Sequence, residues 1–386
     1  MNPIIIIGTG FAAYTLAREF RKLDSQTPLL FITADDGRSY PKPMLSNALT
    51  KGKTADQLAL SDAAAMQSTL NAEIMTHTLV KKIDPETQTI HASSNKQLNY
   101  QQLILAVGAS PIRIPIEGGT DSNIISINNL DDYSVFREQL NSAKHVTLIG
   151  PGLIGCEFAN DLINSGVNVA VIGPDPNPMS SLLPPTIAKE LKTALSEMGV
   201  DWHLGTTVSS INSSADNQHR LTLENGDNID TNIVVSAIGL RANIELAQQT
   251  GLDVNRGIVT DRYLQTSHTN IYALGDCAEV SGHNLLFIAP ILAAARTLAK
   301  TLAGTITAVT YPAMPVAIKT PCYPLVVSPP PRGSEGDWQF ERSTASMTGI
   351  KGLFLSVNGE LLGFALSGDM VAEKQTLTKQ LPDILS

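Results

Sequence analysis

Residues 4–13 read Ile-Ile-Ile-Ile-Gly-Thr-Gly-Phe-Ala-Ala, and residues 146–155 read Val-Thr-Leu-Ile-Gly-Pro-Gly-Leu-Ile-Gly, so an apolar run leads into a glycine-rich turn twice. A helix-like stretch follows each turn. A buried strand, a tight glycine turn and a helix N-terminus together form a binding loop for the pyrophosphate of a dinucleotide. Two such loops predict two dinucleotides, and hence electron transfer from a nicotinamide to a flavin.

An acidic residue normally follows such a loop by about 20 residues and binds the ribose hydroxyls. Asp35 stands at this distance from the first loop, after the apolar residues 29–33. In the second unit the strand-like residues 167–172 are followed by Gly173, so glycine takes the acidic position and Asp175 is the next acid. An arginine for a 2′-phosphate is missing nearby, which favours NADH over NADPH.

Composition limits the possible classes of protein. The chain has 386 residues, of which 43% are hydrophobic, and a net charge of −9, which makes nucleic acid an unsuitable partner. Its three cysteines are far apart and predict no disulfide framework, and the seven histidines show no metal-ligand spacing. The chain enters a strand directly after Met1-Asn2-Pro3, and its longest apolar run, 285–295, is too short to span a membrane. We therefore expect a cytoplasmic protein with no membrane segment and no metal site.

The order of the segments predicts an α/β fold with two Rossmann-like domains and a small C-terminal α+β domain. Residues 102–109 and 234–241 each read as a strand entering a glycine turn, and we interpret them as paired crossovers between domains. Beyond residue 319 the pattern changes to a proline-rich loop, a meander and a helix-like end at 372–385. The predicted division is an FAD-binding domain of residues 1–112 and 239–318, interrupted by an NAD-binding domain of residues 113–238, and a C-terminal domain of residues 319–386.

These pieces resemble the two-dinucleotide flavoprotein reductases, the family of glutathione reductase. The matching residues are Gly8-x-Gly10-x-x-Ala13, Gly150-x-Gly152-x-x-Gly155-x-Glu157 and 266–276. Disulfide reductases of this family carry a cysteine pair in the segment corresponding to residues 40–46, and the peroxidases carry one cysteine there, whereas this chain reads Tyr-Pro-Lys-Pro-Met-Leu-Ser. Residues 40–46, 154–161 and 319–321 resemble the corresponding segments of one branch of the family, whose members reduce the small iron–sulfur protein rubredoxin.

The resemblance implies that electrons pass from NADH through FAD to rubredoxin, one at a time, to supply a downstream oxygenase, as in alkane metabolism, or an oxygen-reducing system. It implies an ion pair between Lys42 and Glu157 as the catalytic feature beside the flavin. It further implies a helix beginning near Pro290 that directs its positive N-terminus at the flavin. The expected cofactor-binding residues are Gly8, Thr9, Gly10, Phe11, Ala12, Ala34, Asp35, Lys42, Val80, Gly150, Gly152, Ile154, Gly155, Glu157, Asp276, Ile288 and Lys319.

Rubredoxins are acidic, so we expect a local basic rim for docking. Candidates close to the motifs are Arg38, Lys42, Arg113, Lys319 and Arg332. Three alternatives stay open: a reductase of a ferredoxin or a flavorubredoxin, a flavin-binding redox sensor or scaffold that is not an enzyme, and a nitrite- or disulfide-type reductase. The last is disfavoured because the chain lacks the extra iron–sulfur and cysteine motifs. The short C-terminal domain favours a monomer.

Overall fold

The computed structural model describes residues 1–93, 95–214, 218–345 and 348–386. The fold is mixed α/β, as predicted. Its strands are β1 Ile4–Ile7, β2 Leu29–Ile32, β3 Glu73–Met75, β4 Val80–Asp84, β5 Thr89–Ala92, β6 Gln97–Asn99, β7 Gln102–Leu105, β8 Ala109–Pro111, β9 His145–Ile149, β10 Asn168–Gly173, β11 Asp201–Leu204, β12 Val208–Ser213, β13 His219–Leu223, β14 Asn228–Thr231, β15 Ile233–Ser236, β16 Leu240–Ala242, β17 Ile258–Thr260, β18 Ile271–Ala273, β19 Ala278–Val280, β20 Val316–Ile318, β21 Leu325–Ser328, β22 Gly336–Arg342, β23 Ile350–Ser356 and β24 Leu361–Ser367.

The helices lie between the strands, and most of the long ones cover the parallel sheets. They are α1 Phe11–Arg21, α2 Ala55–Leu58, α3 Ala63–Leu70, α4 Leu130–Leu140, α5 Leu153–Asn164, α6 Pro185–Glu197, α7 Glu245–Gln249, α8 Ile288–Leu302 and α9 Lys374–Thr378, with 3₁₀ helices at Lys42–Asn47 and Gly368–Glu373. No helix in the described ranges is long and apolar enough to cross a membrane.

The first glycine loop belongs to a five-stranded parallel sheet with the order β18-β7-β1-β2-β3. Strand β1 lies in the middle, and its four isoleucines are buried on both faces, which explains why the sequence shows an unbroken apolar run. The edge strand β18 comes from far along the chain. The first sheet is therefore completed only by residues that follow the second loop.

The second glycine loop belongs to a four-stranded parallel sheet with the order β11-β10-β9-β15. Helices α5 and α6 bury Phe158, Leu162, Ile187 and Leu191 in the adjoining core. Strands β8 and β16, which follow the two predicted crossover segments, pair with each other in antiparallel register. This pairing holds the two sheets beside each other where the chain passes between them.

The C-terminal residues form an antiparallel sheet with the order β20-β21-β24-β23-β22. The turn at Asn358-Gly359 joins β23 to β24, as the sequence predicts. The predicted helix at 372–385 is wrong in extent, because α9 covers only Lys374–Thr378 and a 3₁₀ turn precedes it. Beyond it Leu385 pairs with Tyr311 as an isolated bridge, so the chain end is extended.

Helix α5 is tied to the segment that follows the 3₁₀ helix at Lys42–Asn47. The carboxylate of Asp161, which is 3% exposed, accepts hydrogen bonds from the backbone N–H groups of Leu49 and Thr50, both at 2.9 Å. A buried carboxylate is stable only where such donors replace water. Asp161 thus fixes the second sheet's helix against a segment of the first sheet's unit.

We predict that Asp161→Ala lowers the free energy of unfolding by about 2 kcal/mol, because the backbone N–H groups of Leu49 and Thr50 lose a charged acceptor. The measurement is urea denaturation followed by far-UV circular dichroism. The matched control is Asp230→Ala, which breaks only the exposed ion pair with Arg220 and should cause a much smaller change. Equal losses in the two variants would contradict the prediction.

Candidate functional site

Both glycine loops open into one cavity of about 1910 Å³. Its wall also includes the 40–46 segment, the crossover residues around Gly108 and Gly239, the start of α8 and the end of β20. Typical small-molecule sites enclose roughly 300 to 1,000 Å³. The space is therefore sufficient for two dinucleotides placed end to end.

The first loop requires glycine at Gly8. Its φ is +108°, and a Cβ there would lie 2.4 Å from the carbonyl oxygen of Ala106. Gly10 instead has no heavy atom within 4 Å of the position of a Cβ, and it begins α1 without a side-chain cap. The first N–H groups of α1 consequently face the cavity, as a pyrophosphate requires.

Asp35 is held in place by a local network. Its Oδ1 atom accepts hydrogen bonds from the hydroxyls of Thr9 and Thr33 at 3.0 and 2.6 Å, and from the N–H of Gly37 at 2.9 Å. All three bonds reach the same oxygen, and within the described residues nothing is bonded to Oδ2. Asp35 thus presents a fixed carboxylate to the cavity, and the residues around the first loop fit the adenosine half of an FAD.

The second loop repeats this geometry. Gly150 has a φ of +114°, and a Cβ there would lie 2.6 Å from the carbonyl oxygen of Ala237. Gly152 is open on its cavity side and begins α5. At Gly155 a Cβ would lie only 1.9 Å from the carbonyl oxygen of Gly150, so this glycine permits close packing of α5 on the loop.

A buried ion pair stands between the two loops, but it is not the predicted one. The carboxylate of Glu157, 1% exposed, lies 2.5 Å from the ammonium of Lys319. It also accepts a hydrogen bond from the Ser46 hydroxyl at 2.6 Å and one from the backbone N–H of Lys319 at 3.0 Å. The predicted ion pair between Lys42 and Glu157 is therefore wrong, because β20 delivers Lys319 directly beside the carboxylate.

Lys42 faces a different set of acids. Burial lowers the pKa of its ammonium, while Asp276 and Asp132 act in the opposite direction. Burial likewise raises the pKa of the Asp276 carboxyl, and the charge of Lys42 lowers it. Lys42 and Asp276 both lie on the wall of the cavity, and each charge acts on the pKa of the other.

The structure brings nearly all of the predicted site residues together on one wall. Gly155 is the exception, since it packs behind the second loop. Their contact with cofactors stays a prediction. Those that line the cavity are Gly8, Thr9, Gly10, Phe11, Ala12, Ala34, Asp35, Lys42, Val80, Gly150, Gly152, Ile154, Glu157, Asp276, Ile288 and Lys319.

Sequence reasoning missed Ser46 as a site residue. Its hydroxyl donates to Glu157 and accepts from the Lys319 ammonium at 2.7 Å, so it bridges the two charges. Ser46 lies in the segment that sorts the branches of the family, but only its spatial neighbours disclose its part in the site. No signal within that segment identifies the lysine that it contacts.

Helix α8 begins at the cavity, as predicted. Ile288 and Ala289, its first two residues, belong to the lining, and Phe287 provides no side-chain cap. The positive end of the helix dipole therefore faces the cavity.

Three of the five candidates for the predicted basic rim are ion-paired. Arg38 forms ion pairs with Asp36, Asp56 and Asp131. The other two paired candidates are Arg113, which is bound by Asp121, and Lys319, which is bound by Glu157. These pairs reduce the charge that Arg38, Arg113 and Lys319 offer to an acidic partner, and docking on a basic rim stays a prediction.

The three cysteines are free. Burial raises the pKa of Cys277 and of Cys322 to about 11, and it raises that of Cys156 still further. Thiols in this state are poor nucleophiles. Cys156 and Cys277 are buried in the core, as expected, and Cys322 is half-buried against it.

Comparison with known proteins identifies two family models along the chain. The model described as pyridine nucleotide-disulphide oxidoreductase matches residues 2–307, and the model described as rubredoxin binding C-terminal domain matches residues 308–381.

The chain is 45% identical to a rubredoxin-NAD(+) reductase of Alcanivorax borkumensis, with all of both chains covered. It is 37% identical to a nitric oxide reductase FlRd-NAD(+) reductase of Aeromonas salmonicida, over 99% of this chain and 97% of that one. The reductase of a covalent putidaredoxin reductase–putidaredoxin complex superposes with a TM-score of 0.88 at 25% identity, over 99% of this chain and 94% of that one.

We predict that alanine at Gly8 and at Gly150, where only glycine adopts the backbone conformation without strain, has a different effect in each loop. Gly8→Ala should reduce the FAD content of the purified protein severely, because the first loop must move away from Ala106. Gly150→Ala should leave FAD bound and slow the reduction of the flavin by NADH at least tenfold. The measurements are the flavin-to-protein absorbance ratio and anaerobic stopped-flow reduction. Loss of FAD in both variants would show that the two loops do not act separately.

Proposed function

The chain belongs to the pyridine nucleotide-disulphide oxidoreductase family, and we propose that it is an NADH-dependent flavoprotein that reduces rubredoxin. One observation carries the proposal: two dinucleotide loops share a single cavity, and Lys319, from the part matched as rubredoxin-binding, reaches its wall. An electron carrier docked on that part would lie beside the cofactors. The sequence relatives named as reductases of rubredoxin and of flavorubredoxin agree with this direction of transfer.

Bound FAD would supply the chemistry, since a flavin accepts a hydride and releases its electrons singly. The chain supplies position and charge. The first loop and Asp35 would hold the adenosine half of FAD, and the second loop would hold NADH. The start of α8 directs the positive end of its dipole at the remaining space, which favours the anionic reduced ring. Lys42 and Lys319 line the same cavity together with the carboxylates of Asp276 and Glu157.

A disulfide-reductase reaction does not fit the segment that would carry it. Residues 40–46 contain no cysteine. Pro41 and Pro43 begin a 3₁₀ helix there, and the helix delivers Lys42 and Ser46 to the cavity. The site therefore suits electron transfer to a separate acceptor protein and not to a disulfide within this chain.

The domain division is part of the proposal: residues 1–112 with 239–318, residues 113–238, and residues 319–386. The sheet order supports the first two, because β18 returns to the sheet of β1. The C-terminal family model begins at residue 308, eleven residues before the proposed boundary at 319. A cytoplasmic location also belongs to the proposal, since unpaired thiols are typical of a reducing compartment, as does a monomeric state.

A second acceptor follows from the relatives. The Aeromonas relative named as an FlRd-NAD(+) reductase covers nearly the whole chain, so a flavorubredoxin is the natural competitor of rubredoxin. The two proteins are distinguished by turnover with each acceptor under identical conditions.

The direct test is an anaerobic assay with excess NADH and oxidised rubredoxin, followed by the loss of rubredoxin's visible absorbance. We expect rapid bleaching with NADH and slow bleaching with NADPH. Because Arg38, Arg113 and Lys319 are already paired, the rate should fall only modestly between low and moderate salt. Reduction of the flavin without bleaching would refute rubredoxin as the partner, and slow turnover with every acceptor would favour a redox sensor.

The role of the Glu157–Lys319 pair can be tested with two variants that should shift the midpoint potential of the flavin in opposite directions. Glu157→Gln leaves an uncompensated ammonium at the cavity and should raise the midpoint potential of the flavin. Lys319→Met leaves the carboxylate and should lower it, each by about 30 mV, which for a two-electron couple is a tenfold change in equilibrium. The double variant should return close to the wild-type potential.

Photoreduction against a reference dye measures these potentials. Lys42→Met is the control, and its effect should add to that of Glu157→Gln because the two side chains do not pair. Shifts of the same sign in Glu157→Gln and Lys319→Met would disprove the electrostatic role of the pair.

A further inference from the structure

The second loop lacks the acid that usually follows the next strand, and the structure shows why. Gly173 ends β10 and is buried. A Cβ at this position would lie 2.2 Å from Cδ and 2.4 Å from Cγ of Pro151, the residue between the first two glycines of the loop. With Pro151 in place, no aspartate or glutamate fits at position 173.

The segment after Gly173 folds back onto the loop. The N–H of Met179 donates to the carbonyl oxygen of Pro151 at 2.8 Å. The N–H of Gly205 donates to the carbonyl oxygens of Gly173 and Asp175 at 2.9 and 3.2 Å. Asp175 is thereby held beside the second loop by backbone bonds at both ends of its turn.

Asp175 is available for a ligand. It is exposed and lines the same cavity as residues 150–154. In the described part of the chain its carboxylate forms no hydrogen bond or ion pair, in contrast to Glu157 and Asp161. The backbone of Asp175 is held in place, while its carboxylate remains available to bind a ligand.

The charges around Asp175 are of one sign. The stretch 149–249 contributes Asp175, Glu157 and Glu245 to the cavity wall, and Glu157 is already paired. Among described residues, the basic side chains of the wall all lie outside that stretch. They are Arg38, Lys42, Lys81 and Lys319.

We propose that Asp175 is the specificity residue that binds the adenosine ribose hydroxyls of NADH and repels the 2′-phosphate of NADPH, in place of the acid that Pro151 excludes from position 173. This inference rests on the proposed function, since it takes the second loop as the NADH site. A carboxylate that accepts from hydroxyls contributes substantially to affinity, and the same charge opposes a phosphate.

The test compares Asp175→Ala and the isosteric Asp175→Asn with Glu245→Ala, which removes another cavity carboxylate. NAD⁺ and NADP⁺ are titrated onto the oxidised, FAD-loaded protein by calorimetry, and kcat/KM is measured for NADH and NADPH with a dye acceptor. We expect both Asp175 variants to bind NAD⁺ about tenfold more weakly, with NADP⁺ binding unchanged or tighter. Glu245→Ala should retain the wild-type ratio of NAD⁺ affinity to NADP⁺ affinity.

A transplant completes the test. Gly173→Asp alone should impair binding of both nucleotides, because it collides with Pro151. The triple variant Pro151→Ala, Gly173→Asp, Asp175→Ala should regain the preference for NAD⁺ lost in Asp175→Ala.

The inference would be overturned if Asp175→Asn weakened the binding of NAD⁺ and NADP⁺ equally, or if it left the ratio of their two affinities at the wild-type value. The nucleotide titrations need no rubredoxin, so a failure of the proposed electron acceptor leaves them interpretable. If wild-type protein binds neither nucleotide, the proposed function itself fails.

Discussion

The buried carboxylate of Glu157 is the constraint around which the structure is arranged. A charge that is 1% exposed must be compensated within the protein. Its three partner groups come from two other parts of the chain: the hydroxyl of Ser46, and the backbone N–H and ammonium of Lys319. Loss of a partner would leave the buried carboxylate with less compensation for the water that it has lost. The carboxylate therefore joins the first sheet's unit, helix α5 and the entry to the C-terminal sheet at one point beside the cavity.

Helix α5 combines two tasks because of its short polar stripe. Its first turn, after Gly152, faces the cavity, while Glu157, Asn160 and Asp161 bind two neighbouring segments, residues 46–50 and residues 319–322. Asn160 accepts a hydrogen bond from the N–H of Cys322. The spacing of these residues places them on consecutive turns of one helix. The nucleotide loop at the start of the helix is consequently positioned by the same element that connects the sheets.

The sequence could predict what is local. Both glycine loops and Asp35 follow from short patterns whose conformations leave few alternatives, and they lie where expected. The start of α8, which the family resemblance implies, also lies where expected. Pairing between distant segments could not be predicted in this way. Lys42 lies in the segment of residues 40–46 that the sequence singles out, but Lys319 is the lysine that lies beside Glu157 in space. Only the register of β20 determines which of the two lysines pairs with Glu157. Similarly, the acids that neutralise Arg38 come from three separate segments, which no spacing rule connects.

The position of β18 in the first sheet has a consequence for biosynthesis. While the ribosome is still making the second sheet, strands β1, β2, β3 and β7 lack the edge strand that closes their sheet at β7. The contiguous second unit can fold as soon as it emerges, whereas the first must wait for a strand made much later. An unpaired strand edge is exposed during that interval. The polypeptide is thus most vulnerable to misassociation before residue 273 has left the exit tunnel, and capture of the flavin comes late in maturation.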